Sequence, residues 1–137
     1  MLDVTAYLAP AGLGQVTMFG VPQRVVDTRT SGGAINSGTS RCWPLAGAAT
    51  IPSNATALVL NLTAVGYGTG GWLSAYPGGQ PVPATSTLNF DTTEYAVANG
   101  TVTALGNGGQ LCVRVGTVNA APGSSHVVID VVGYLAP

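Results

Sequence analysis

Hydrophobic and polar residues alternate with a period of two along most of this chain. That spacing sends successive side chains to opposite faces of a β-strand. The clearest run is ALVLNLTAV at residues 57–65. There Leu58, Leu60 and Leu62 fall on one face, and Val59, Asn61 and Thr63 on the other. Residues 110–115 repeat the pattern, with Leu111, Val113 and Val115 against Cys112 and Arg114. Shorter segments read as strands at 15–19, 23–29, 72–76, 86–90 and 95–105, and another, interrupted by Pro44, lies within 41–51. The final segment, 125–135, is apolar on both faces, as a central strand should be. Gly, Pro and Asn turns separate these segments, and no helical spacing supplies a crossover between parallel strands. The pattern predicts an all-β fold: an antiparallel β-sandwich of about nine short strands, jelly-roll-like, with a closed barrel as the second choice. A β-trefoil would need a threefold internal similarity that the sequence lacks. The longest irregular stretch, 30–40, is rich in Gly, Ser and Asn and is the first place to look for a ligand contact.

The two ends of the chain resemble each other. LDVTAYLAP at 2–10 lies over IDVVGYLAP at 129–137 without gaps, sharing Asp, Val, Tyr, Leu, Ala and Pro. This reads as a seam between tandem repeats, which divides the chain into a strand and connector at 1–14 and a sandwich domain at 15–137. In the first copy Asp3, Thr5 and Tyr7 make a polar face opposite Leu2, Val4, Ala6 and Leu8. Such a strand suits an edge, and Leu2, Val4 and Tyr7 are expected to form the element through which units connect.

Composition changes the picture in one respect. With 137 residues the chain suffices for one domain and a full core. The hydrophobic share of 46% is ordinary, but charged residues make up only 7% and lysine is absent. The cations are Arg24, Arg29, Arg41 and Arg114, and the net charge is −1, so nothing here would neutralise a nucleic-acid backbone. Sheet edges are commonly protected by charge, Lys above all, or by being covered. The missing lysines point to edges covered by neighbouring copies, or else to a genome that disfavours Lys codons. No apolar run is long enough to span a bilayer, and the start lacks the basic, apolar pattern of a leader. The chain therefore reads as a mature fragment or a piece of something longer. Cys42 and Cys112 suit a single disulfide formed in an oxidising compartment, the alternative being two separate buried thiols.

Taken together, the segments RVVDTR, IPSNATALVLNLTAV, WLSAYPGG, TSTLNF and HVVIDVVGYL resemble a repeat domain of secreted and cell-surface proteins from actinobacteria and related bacteria. That domain often occurs in tandem or beside cell-wall hydrolase domains. The resemblance covers residues 15–135 and departs from the pattern at the start of the chain. It implies an extracellular, non-catalytic module and carries over no catalytic residues and no cofactor.

The residues that could do chemistry are few. The single histidine, His126, stands beside Ser124 and Ser125 and four positions before Asp130, but neighbours along one strand do not build a Ser-His-Asp arrangement. A carboxylate pair for glycoside cleavage would have to come from Asp3, Asp27, Asp91, Glu94 and Asp130, three of which lie inside apolar strands. Zinc and EF-hand spacings are absent, and only Asp91 with Glu94 offers a calcium-like pair. The Asn54, Asn61 and Asn99 sequons read as accidental. Asp130 is expected to be buried on at least one side and therefore paired. This predicts a structural cluster of Asp27, Arg29, Arg114 and Asp130. Trp43, Trp72 and Tyr76 are candidate glycan contacts at a sandwich rim, weighed against a role in the core. The expectation is a structural or adhesive module with no enzymatic activity and no cofactor, partnered by copies of itself. A carbohydrate-binding module is the alternative; nucleic acid and membrane insertion are not expected.

Overall fold

The computed structural model describes residues 14–137 together with Val4, Tyr7 and Ala9. Nine strands follow in order: β1 (Gln15–Asp27), β2 (Ile35–Asn36), β3 (Ser40–Pro44), β4 (Ala57–Val65), β5 (Gly71–Pro77), β6 (Leu88–Phe90), β7 (Ala96–Ala104), β8 (Gln110–Thr117) and β9 (Ser124–Ala136). They form two antiparallel sheets. One has the order β1-β9-β4-β7, with β2 added alongside the start of β9, and the other the order β3-β8-β5-β6. With β2 set aside, the first strand pairs with the last, the second with the second-last, and so inward to β5 with β6. A long hairpin rolled over on itself gives this order, which defines the jelly roll and not the closed barrel.

The core follows from the alternation. Leu58, Leu60 and Leu62 of β4 and Val127, Ile129 and Val131 of β9 face Leu73 of β5 and Leu111, Val113 and Val115 of β8 between the sheets. At the end of the sandwich Tyr67 stacks on Phe90 with ring centroids 4.2 Å apart. Strand β9 lies between β1 and β4, the central position its two apolar faces predict.

Two local expectations are revised. Residues 15–19 and 23–27 are parts of a single strand, and Thr28 and Arg29 fall in the turn after it. Met18 pairs with Gly133 and Gln23 with Val131, so β1 carries extra residues ahead of Gln23. Pro22, with no N–H to give to the ladder, falls inside that bulge, and the chain rejoins its partner beyond it. The 30–40 stretch is not wholly irregular, because Ile35 and Asn36 pair with Ser125 and Ser124 as β2.

Candidate functional site

The outer faces of the sheets hold the polar chemistry. On the four-stranded sheet, Cys42 and Cys112 are directly opposed in the β3–β8 register and joined by a disulfide. The bridge pins the edge strand β3 to its neighbour. Cys112 is buried and Cys42 exposed.

On the five-stranded sheet the charges form an alternating row. Arg29 donates from Nε and Nη2 to the two carboxylate oxygens of Asp27, at 2.9 and 2.6 Å. Arg24 lies 3.6 Å from Asp27 and donates from Nε and Nη2 to Asp130 at 2.8 and 3.1 Å. Asp130 is therefore tied to an early strand, but through Arg24 in place of Arg29 or Arg114. Nor is it buried: its side chain keeps 21% of its exposure on the outer face, while Ile129 and Val131 take the core side. Arg114 belongs to the other sheet, on β8, and takes no part in this row. With Arg24 half exposed, water screens its pairs, which add little stability.

The hydrogen bonds from the Arg29 side chain hold the Asp27 carboxyl down to about 2, from an ordinary value of 3.8. Because the folded value lies below the unfolded one, this stabilisation is complete above about pH 4 and is lost as the pH falls toward 2. A carboxyl titration followed by NMR should therefore give Asp27 a midpoint near 2. Replacing Asp27 with Asn should flatten the dependence of the urea midpoint between pH 5 and pH 2, and an Asp27 midpoint near 4 would contradict the pairing.

His126 and Asp91 have structural partners. His126 Nδ1 lies 3.2 Å from Thr28 Oγ1, which also accepts the N–H of Val127, so the pair latches the end of β1 to β9. Ser125 Oγ donates to the His126 carbonyl and makes no bond to the ring. Asp91 accepts from the backbone N–H and hydroxyl of Thr93 in a local turn. Among the described residues no group of three His, Cys, Asp or Glu side chains could hold a metal ion. No helix among them is long and apolar enough to cross a membrane.

The three candidate aromatics separate. Trp43 packs against the core, and Tyr76 is buried. Trp72 is half-buried on the outer face of the four-stranded sheet. Its indole lies so close over Gly116, its cross-strand partner, that a Cβ there would come within 2.3 Å of the ring. Trp72, Gly116 and Arg114 line a cleft of about 290 Å³, closed on one side by Ser37 and Gly38 from the 30–40 stretch and on the other by Asn119 and Ala120. Asn119 and Ala120 both have left-handed backbone, with φ of 55° and 53°. For Ala this conformation is costly and persists only where the surroundings impose it. Sequence reasoning missed Arg114 as part of this cleft. Its alternation with Val113 and Val115 marks an outward-facing side chain, but only the strand order brings it beside Ser37.

Of the expected assembly strand, Leu2 lies outside the described residues, and Val4 and Tyr7 are exposed. The free edge of β7 is a further feature. Among the described residues this strand pairs only with β4. Its sequence, AVANGTVTA, contains no charge and no proline. A groove of about 420 Å³ runs beside it, lined by Pro83, Thr85, Thr87, Asn99 and Thr101 among others.

Fold and surface together define a disulfide-pinned jelly-roll module. No protein-family model matches the chain, and neither the curated proteins nor the solved structures contain a significant match.

Proposed function

We propose that this domain is a non-catalytic building block that joins further copies of itself along sheet edges, in an extracellular or cell-surface assembly. The observation that carries this reading is the β7 edge. Half of the backbone N–H and C=O groups of an edge strand point away from its only partner. Natural sheets guard such rows with charge, proline or cover. Nine residues of β7 have neither charge nor proline, and Ala96, Ala98, Gly100 and Ala104 are exposed along it. A second strand laid on this edge would complete the hydrogen bonding, with the adjoining groove to receive its side chains. The absence of lysine, the similar ends of the chain and the resemblance to tandem cell-surface repeats support the same reading. The disulfide fits an oxidising compartment.

Gly100→Lys tests this proposal cleanly. A Cβ at Gly100 meets nothing within 4 Å, so the fold accommodates the substitution. The new ammonium would stand on the edge and oppose pairing. Light scattering should show the wild-type mass rising above that of a monomer with concentration, while Gly100→Lys stays monomeric with an unchanged melting temperature. A wild type that is monomeric throughout, or a variant that assembles equally well, would refute edge assembly.

A further inference from the structure

We propose that the cleft between Trp72 and Arg114 binds acidic saccharides, sugar rings that carry a carboxylate. The first argument is the state of the arginines. Arg24 and Arg29 are engaged with Asp130 and Asp27, and Arg41 donates to the backbone carbonyls of Gly33 and Ala34. Arg114 alone makes no hydrogen bond or ion pair among the described residues. In a chain with so few charges, an arginine left open on a rigid strand calls for its own explanation. Its neighbours across the ladder are Ser40 and Ser74, and no acidic residue lines the cleft. The guanidinium thus holds an uncompensated positive charge where a planar, fork-shaped anion could meet it with two parallel hydrogen bonds.

The second argument is the ring beside it. Gly116 lets the Trp72 indole lie flat against the sheet, and the neighbouring β8 backbone fixes its height. Trp72 is half-buried, with its ring against Gly116, and the part left uncovered borders the cleft. An indole held this way offers the flat apolar surface that the C–H face of a pyranose can cover. A volume of about 290 Å³ has room for one sugar ring at a time. Asn119 lines the cleft with an amide that can bond hydroxyls, beside Ser37, whose Oγ donates to the Ala121 carbonyl and keeps only its acceptor capacity for a ligand. Aromatic platform, single cation and polar rim together match a uronic acid better than a neutral sugar, which would leave Arg114 unused. A free phosphate could meet the same fork but would leave the Trp72 platform unused. The site lies on the sheet opposite to β7 and does not depend on edge assembly.

The test is calorimetric titration with trisaccharides of galacturonic acid and of glucuronic acid, and with their uncharged methyl esters. At least one acid should bind saturably, and its ester at least about tenfold more weakly, as befits loss of a charged hydrogen-bonded pair. Arg114→Gln should weaken the acid by about the same factor and leave the ester unchanged, whereas Trp72→Ala should weaken both. Both side chains lie on an outer face, and thermal unfolding checks that each variant folds. Should Arg114→Gln fail that check, Arg114→Lys, which keeps the charge but loses the fork, should bind the acid with intermediate strength. Absence of binding by both acids, equal binding of acid and ester, or wild-type binding by Arg114→Gln would overturn the proposal.

Discussion

Removing the Cys42–Cys112 bridge is expected to lower the stability of this domain by about 4 kcal/mol. The two cysteines are separated by 70 positions, and closing a loop of that length restricts the unfolded chain by about this amount on the chain-entropy account. For a domain of this size the melting temperature should fall by on the order of 10–20 °C. The double variant Cys42→Ala, Cys112→Ala and the reduced wild type should behave alike in thermal and urea unfolding. The loss should be spread over the whole fold. Yet β3, an edge strand of five residues that among the described residues pairs only with β8, should exchange its amide protons first, because the bridge is its one side-chain covalent tie to the sheet. An unfolding midpoint indifferent to reductant would count against this account.

The second large effect belongs to Ile129. It is fully buried at the middle of β9, with Val26 opposite on β1 and Leu62 opposite on β4. Ile129→Ala should cost about 2–5 kcal/mol, since both the lost transfer energy and the cavity left behind act against folding. Val132, half-buried on the outer face of the same strand, provides the contrast: Val132→Ala should cost less than about 1 kcal/mol. Urea titrations with unchanged slopes would report these as true stability differences. Equal losses at the two positions would mean that the sheet has no distinct inner face.

The residues themselves explain which parts of the structure could be read in advance. Strand β4 appears where its alternation ends, at Ala57 and Val65, because period two is a local property of the chain. The central place of β9 is also local, since a strand apolar on both faces must be covered on both. Partnership is not local. Asp130 needed a cation, and several arginines were available. Only the β1–β9 register, which sets Arg24 opposite Asp130, selects one of them. The bulge ahead of Gln23 determines that register, and nothing in the alternation announces its length. The Trp72–Arg114 cleft is harder still to foresee. It unites the loop before β3, the strands β5 and β8 and the turn after β8, segments that meet only when the hairpin rolls up. The β7 edge lies between these cases: its lack of charge is plain in the sequence, but its exposure follows from the order of strands.

The pairing of Gln15 with Ala136 has a mechanical consequence. The start of β1 and the end of β9 lie side by side, so tension applied at Gln15 and Ala136 would pull β1 and β9 apart like the sides of a zip. Their hydrogen bonds would then fail one after another instead of sharing the load. Were units joined through these two points, a row of them would not carry force from pole to pole as a stiff rod does. It would behave as a string of side-hung beads that yield early under pull. The Cys42–Cys112 bridge would then act as a stop, because the residues between the cysteines stay out of the extended length however far the outer strands peel. Each unit would lengthen by roughly 3.5 Å per freed residue until the slack outside the bridge is spent. A chain of these domains would therefore be a shock absorber with a built-in limit.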